Sequence, residues 1–133
     1  MIGKFVGTGA YIPPTIWDNN KIAEIVETSD EWIKERTGIE SRHIEQELEC
    51  SQMAIEAARK ALADSEKNGM TADDIDAVFV STTSTDTLFP VISCMIQKEL
   101  HLNIFLVFLL IWNDLQMKKK KVTWIELRLF LFV

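Results

Sequence analysis

The pattern of hydrophobic and polar positions along this chain is typical of a mixed α/β protein. The segment 2–9 predicts a strand with close backbone packing at Gly7 and Gly9. The apolar run at 75–80 predicts a second, buried strand. Between them, small apolar residues recur at helical spacing over 51–62 and predict a helix that lies closely against a sheet. Pro90 is well placed to begin a further helix that extends to Leu100. The order of these elements indicates an α/β fold with a largely parallel sheet.

The stretch between the first strand and the long helix is mostly polar. A short helix is expected after positions 18–20, any of which can act as its N-cap, and it carries apolar residues up to Val26. The segment 40–49 predicts a strand followed by a surface loop. His43 lies in that segment, and an exposed histidine is a simpler interpretation there than a ligand or a base.

The segment 28–39, TSDEWIKERTGI, predicts a helix whose two ends are both marked. Thr28 and Ser29 can each act as the N-cap, and Thr28 has the spacing of a capping box with Glu31. Two acidic residues then fall in the first turn, where the helix dipole favours negative charge. Gly38 stands where a left-handed residue ends a helix.

Trp32 and Arg36 are four residues apart and therefore share one face of that helix. An indole beside a guanidinium suits a nucleotide, because the ring stacks on a base and the guanidinium binds phosphate oxygens. The alternative is a tryptophan anchored in the core beside a solvated arginine, and spacing alone favours that alternative.

Composition and charge exclude some classes of function. The chain has 133 residues, of which 47% are hydrophobic and 26% charged, as in ordinary globular domains. The net charge of −6 is unevenly spread: residues 1–100 carry 9 basic and 18 acidic side chains, whereas residues 101–133 carry 5 basic and 2 acidic ones. Such an acidic body argues against a nucleic acid as the partner. The two cysteines have no accompanying ligand spacing, so neither a disulfide framework nor a metal site is expected.

An apolar run of nine residues, IFLVFLLIW, begins at Ile104 and precedes a tract of four lysines at 118–121. As a helix, this run would be about 14 Å long, against about 30 Å for the hydrocarbon core of a bilayer. No membrane span is therefore expected.

The N-terminal stretch lacks a basic region followed by a long apolar run, which argues against a signal peptide. We therefore expect a cytoplasmic location.

Five stretches of the chain occur in an order that matches one known family of enzymes. They are VGTGAYIPP (6–14), TSDEWIKERTGIESRHI (28–44), SQMAIEAARKAL (51–62), DIDAVFVSTTSTD (74–86) and FPVISCMIQKEL (89–100). Together they resemble the N-terminal part of β-ketoacyl-acyl-carrier-protein synthase III. The resemblance covers about residues 1–102, and the tail at 103–133 is unlike the family.

This resemblance implies an incomplete thiolase-like α/β fold and a role in fatty-acid biosynthesis. Members of the family are acyltransferases that condense acetyl-CoA with malonyl-acyl-carrier protein; they act as homodimers and use a coenzyme A thioester as substrate, with no cofactor. By the same resemblance, four residues contact the nucleotide part of coenzyme A: Thr28, Trp32, Arg36 and Thr37. Phe89 matches a phenylalanine that crosses the dimer interface into the partner's acyl pocket.

The catalytic groups that the family uses have no counterpart in the sequence. The resemblance places the nucleophilic cysteine in an A-x-x-C-G-like turn soon after the helix that ends near Leu100, where this chain has IFLVFLLIWNDL. No cysteine follows Cys94 and no histidine follows His101. Cys94 matches a structural helix position of the family, and Cys50 lies beside acidic residues that disfavour a thiolate. We therefore expect no catalytic residue here, and a chain that is inactive alone.

Two other interpretations of the chain stay open. In one, the chain is an interaction module that pairs with another chain through its apolar tail. In the other, it is a working enzyme that uses Cys94 as its nucleophile.

The junction near residue 102 carries a prediction of its own. The family pattern, the charge balance and the composition all change there without the Pro-, Gly- or Ser-rich linker that normally separates domains. We expect that the DNA beyond about codon 102, read in another frame, encodes the nucleophile turn. Sequencing through and past the stop codon checks this, and the hypothesis is lost if neither alternative frame contains an A-x-x-C-like turn followed by family-like sequence.

Overall fold

The computed structural model of the chain describes residues 4–104, 106–111 and 128–132. Its elements, in chain order, are β1 (Phe5–Ala10), β2 (Thr15–Asp18), α1 (Asn19–Ala23), α2 (Asp30–Thr37), β3 (Ser41–Ile44), α3 (Cys50–Glu66), a 3₁₀ turn (Ala72–Asp74), β4 (Ala77–Thr82), α4 (Ile92–Glu99), β5 (Leu106–Ile111) and β6 (Arg128–Phe132). They fall into two units. The first combines Met1–Tyr11 with Glu49–Val133, and the second is Ile12–Leu48.

The core of the first unit lies where α3 and α4 pack on β4. Successive side chains of a strand point to opposite faces, and in β4 Val78 and Val80 are buried whereas Phe79 is exposed. The small residues of α3 allow the helix to approach this sheet, and Ile92 and Ile96 of α4 complete the cluster. The predicted strand, long helix and final helix are therefore confirmed. The bounds of β4 and α4 differ from the predicted ones by one or two residues, and α3 continues to Glu66.

Two glycines of β1 lie against the backbone of α3. A Cβ added at Gly7 would come within 2.5 Å of the Ala61 carbonyl oxygen, and one added at Gly9 within 2.3 Å of the Ala57 carbonyl oxygen. Because there is no space for a methyl group at either position, the glycines are required by this close approach. The sequence prediction of close packing at Gly7 and Gly9 is confirmed.

The strand pairings correct the prediction of a largely parallel sheet. Only β4 and β5 are parallel among the described strands, running in register from Ala77 beside Leu106 to Thr82 beside Ile111. β1 pairs with β6, and β2 with β3, both antiparallel. β4 and β5 are parallel because α4 crosses between them, as a parallel connection requires. The sequence identified neither β5 nor β6, since both fall in the tail that had no assigned elements.

The second unit is a β2–β3 ladder with α1 and α2. The structure corrects the predicted short helix after positions 18–20, because α1 ends at Ala23 and leaves Ile25 and Val26 outside it and exposed. β2 was not predicted. It pairs with β3, which confirms the strand expected in 40–49.

The two ends of α2 are built as the sequence predicted, with one correction. Ser29 is the N-cap, since the Trp32 N–H donates to its Oγ at 3.2 Å, so the predicted capping box between Thr28 and Glu31 is wrong. Gly38 adopts the expected left-handed conformation, with φ of 69°.

In the part of the chain that the structure describes, no helix has both the length and the apolar character needed to cross a membrane. The described residues of the apolar run at 104–112 lie largely in β5, paired with β4 of the same chain. The lysine tract at 118–121 lies outside the described residues, and the origin of the tail in a shifted reading frame stays a prediction.

Candidate functional site

Trp32 and Arg36 form an exposed cation–π pair on α2. The Arg36 Cζ atom lies 4.9 Å from the centroid of the Trp32 ring, inside the range in which a guanidinium is attracted to an indole face. Trp32 is 53% exposed, so the alternative of a tryptophan anchored in the core is wrong. The face shared by these two residues is therefore open to a ligand.

The position of the buried residue of α2 determines which side chains of the helix face outward. Ile33 is the one buried residue of this helix, and Trp32 and Arg36 lie off the face that buries it. At the exposed N-terminal turn, the Lys34 ammonium pairs with the Asp30 carboxylate at 2.9 Å. The pKa of Asp30 is lowered, mainly by its hydrogen bond with Lys34 and next by that with Asn19.

Thr37 lies next to Arg36, but its hydroxyl is already used by the backbone. It donates to the Ile33 carbonyl oxygen at 2.7 Å and accepts from the Ile39 N–H at 3.1 Å. A hydroxyl has one proton to donate, so Thr37 cannot also donate to a phosphate without giving up the bond to Ile33. The side chain therefore stabilises the end of α2.

Thr28 lies just before α2, at the end of the helix opposite to Thr37. Its Oγ1 atom is buried and has no hydrogen-bond partner among the described residues. The eight residues of α2 span about 12 Å. The structure thus brings Trp32 and Arg36 together, and it places the two threonines at opposite ends of the helix that carries them.

Phe89 belongs to the other unit, in the loop between β4 and α4. It is 88% exposed, and the neighbouring Leu88 is also largely exposed. Two adjacent large apolar side chains at the surface are typical of a contact surface rather than of a core.

The two cysteines lie on different helices, and both are half-buried. Burial at the start of α3 raises the pKa of Cys50, and the negative charge of Asp86 raises it further, against a smaller opposite effect of a hydrogen bond with Thr82. The direction of this shift agrees with the prediction, but the carboxylate that contributes to it is that of Asp86 and not one of the acidic residues beside Cys50 in the sequence. Cys94 is half-buried on α4.

Sequence reasoning missed a buried polar pair, Asn19 and Arg42. Asn19 is fully buried, Arg42 is 4% exposed, and the Arg42 Nη2 donates to the Asn19 Oδ1. Burial lowers the pKa of Arg42, and Asp18 acts in the opposite direction. The sequence did contain a signal for this pair: Arg42 lies inside a predicted strand, and because burying a charge without partners is costly, a buried arginine there requires a polar partner.

Solved structures whose fold is similar to that of this chain are synthases of the thiolase-like fold. The 3-oxoacyl-[acyl-carrier-protein] synthase III of Aquifex aeolicus matches 83% of the chain with a TM-score of 0.73 and 33% identity, over 35% of its own length. The priming β-ketosynthase of the R1128 polyketide pathway matches 80% of the chain with a TM-score of 0.69 and 31% identity, over 31% of its own length. The class of the fold is therefore thiolase-like.

Curated relatives define the family more closely. The chain is 47% identical over 101 residues to the β-ketoacyl-[acyl-carrier-protein] synthase III of Bacillus pumilus, and 48% identical over 95 residues to that of Granulibacter bethesdensis. No family model matches. Over about three quarters of its length, the chain is homologous to β-ketoacyl-[acyl-carrier-protein] synthase III. It spans 31% and 29% of the length of these two relatives.

Proposed function

We propose that α2 binds the nucleotide end of coenzyme A, and that the chain thereby supplies one wall of an acyl-CoA site without the groups that perform the condensation. The observation that carries this proposal is the exposed Trp32–Arg36 pair. Homology to β-ketoacyl-[acyl-carrier-protein] synthase III supports the choice of ligand.

The chemistry of the pair fits an adenine nucleotide. More than half of the Trp32 surface is accessible, and an indole stacks on any base because every base has a π-face. Arg36 has no carboxylate partner among the described residues, so its N–H groups are available to phosphate oxygens in the forked geometry that arginine provides. We expect these two residues to provide most of the affinity, because the Thr37 hydroxyl is already bonded to the backbone at the end of α2. Thr28, before the other end of the helix, is proposed as a minor contact.

The substrates and partners proposed are those of the family: acetyl-CoA, malonyl-acyl-carrier protein and a second copy of the chain. The exposed Phe89 supports a role in such a dimer interface. Unpaired Cys50 and Cys94 are compatible with the reducing cytoplasm, which we propose as the location.

Coenzyme A binding to the purified chain is expected to be weak and to weaken further with added salt, since one wall of a site gives few contacts and phosphate contacts are screened. Trp32→Ala should lower the affinity by a factor equivalent to ~1–3 kcal/mol, the value of base–aromatic stacking. Arg36→Gln should lower the affinity and also reduce its dependence on salt. Isothermal titration calorimetry at two salt concentrations measures both effects.

Two matched controls lie in the same unit. Ile25→Ala removes an exposed apolar side chain outside α2, and Lys21→Gln removes a positive charge that pairs with Glu24. Both should leave the affinity unchanged. Tight binding that is insensitive to Trp32→Ala would show that the nucleotide site lies elsewhere.

A further inference from the structure

One buried amide group contacts both ends of α2. The Asn19 Nδ2 donates to the Asp30 Oδ1 at 2.7 Å and to the Ile39 carbonyl oxygen at 2.8 Å. Asp30 is the first residue of α2, and Ile39 directly follows the Gly38 C-cap. A single side chain thus ties the beginning of the helix to the turn that ends it.

Arg42 holds this amide in one orientation. From β3, its Nη1 donates to the Asp18 carbonyl oxygen at 3.0 Å and its Nη2 donates to the Asn19 Oδ1. A flipped amide would direct its NH₂ group at the guanidinium donors and its oxygen at two further acceptors. The hydrogen-bond network therefore admits one orientation of Asn19, with Nδ2 directed at Asp30 and Ile39.

The anchoring matters because α2 has little else to fix its direction. Ile33 is the helix's one buried residue, and an isolated helix of eight residues is marginal in water. The anchor at Asp30 is its Oδ1, which accepts from Asn19, whereas the ion pair with Lys34 uses the other oxygen, Oδ2. Trp32 and Arg36 lie between the two anchored ends, so the contacts of Asn19 determine where their shared face points.

We infer that Asn19 is a positioning residue: through Asp30 and Ile39 it fixes α2, and so orients Trp32 and Arg36 for a nucleotide-bearing ligand. This inference rests on the proposed function of that pair. It assigns a role to a fully buried residue outside α2 that does not itself touch the ligand.

Asn19→Ser tests the inference, because serine is too short to reach both acceptors. We expect the affinity for coenzyme A, measured by calorimetry on the full chain, to fall about tenfold. The decisive measurement is a double-mutant cycle with Arg36→Gln. If Asn19 orients Arg36, then Arg36→Gln costs much less in the Asn19→Ser background than in the native chain. Full additivity of the two effects, which a loss of folded protein alone would give, overturns the inference.

A second pair of variants covers the case in which Asn19→Ser does not fold. Asp30→Ala removes one acceptor of the Asn19 amide, whereas Lys34→Gln removes only the exposed ion pair at the same carboxylate. Asp30→Ala should weaken coenzyme A binding and accelerate amide hydrogen exchange throughout α2, and Lys34→Gln should do neither. Equal behaviour of the two variants would refute the inference.

The same variants separate the inference from the proposal on which it rests. A native chain that does not bind coenzyme A, with Trp32→Ala without effect, refutes the proposed function. Hydrogen exchange of α2 still tests the anchoring by Asn19 in that case, because it needs no ligand. Exchange in Asn19→Ser or Asp30→Ala that matches the native chain would refute the anchoring too.

Discussion

Gly9→Ala is expected to lower the free energy of unfolding of the first unit by about 3 kcal/mol, at the upper end of overpacking effects. The added Cβ would lie 2.3 Å from the Ala57 carbonyl oxygen and 2.3 Å from the Ala61 amide nitrogen. Both are backbone atoms of α3, so no side chain can rotate to make room, and β1 must move away from the helix. Urea denaturation followed by far-UV circular dichroism measures the loss.

Gly69→Ala is the matched control for this substitution. Gly69 has φ of 81°, and no heavy atom lies within 4 Å of a Cβ built there. The cost of alanine at Gly69 is therefore backbone strain alone, about 1 kcal/mol. Equal losses for the two variants would contradict the close contact of β1 with α3 as the cause.

The purified chain, given acetyl-CoA and malonyl-acyl-carrier protein, is expected to form no acetoacetyl product. Burial and the charge of Asp86 raise the pKa of Cys50, which disfavours its thiolate. Cys94 is half-buried on α4, and the sequence has no other cysteine. Removing the nucleophile of an enzyme that works by covalent catalysis costs on the order of 10⁶-fold in rate. A radiochemical assay of the condensation product detects activity far below that of a full-length relative.

The full-length Bacillus pumilus relative, assayed in parallel, shows that the substrates are competent. Cys50→Ala and Cys94→Ala identify the source of any product that does appear. Turnover that Cys94→Ala abolishes and Cys50→Ala leaves intact would establish Cys94 as a nucleophile, and with it the interpretation of the chain as a working enzyme.

Helices and strands whose buried residues recur at a regular spacing were predictable from the sequence. The small apolar residues of α3 recur with helical period, and β4 is a short apolar run between polar residues, so each carries its own signal. Gly7 and Gly9 of β1 likewise predicted close backbone packing, although not that its partner is α3. These features depend on the spacing of neighbouring residues along the chain, and a single sequence contains that information.

Elements that depend on a distant partner were not predictable. β2 has only four residues and is defined by its ladder with β3. β5 and β6 lie in the tail, where only their pairing with β4 and β1 identifies them as strands. These strands were missed because a short strand is stabilised by the partner strand with which it forms hydrogen bonds. The residues of the short strand alone do not identify that partner.

The candidate site also has parts that were predictable from the sequence and parts that were not. The spacing of Trp32 and Arg36 predicted that they share one face, but spacing alone favoured a buried tryptophan. The resemblance to the family implied a ligand-binding pair, and the structure shows that Trp32 is exposed. The role of Asn19 was invisible, because its partners Asp30, Ile39 and Arg42 lie on three different segments. A network of this kind becomes evident only after the chain has folded.

The pairing of β1 with β6 also affects the order in which the chain folds. Thr8 lies beside Phe130, so this ladder joins the first described strand to the last. During synthesis β1 can dock on α3 long before β6 has left the ribosome. Its edge then stays unpaired until β6 has been synthesised, and closing so long a loop is entropically slow. We conclude that the β1–β6 ladder forms after β1 has docked on α3, and that until then β1 presents an unpaired strand edge, which favours pairing with other chains.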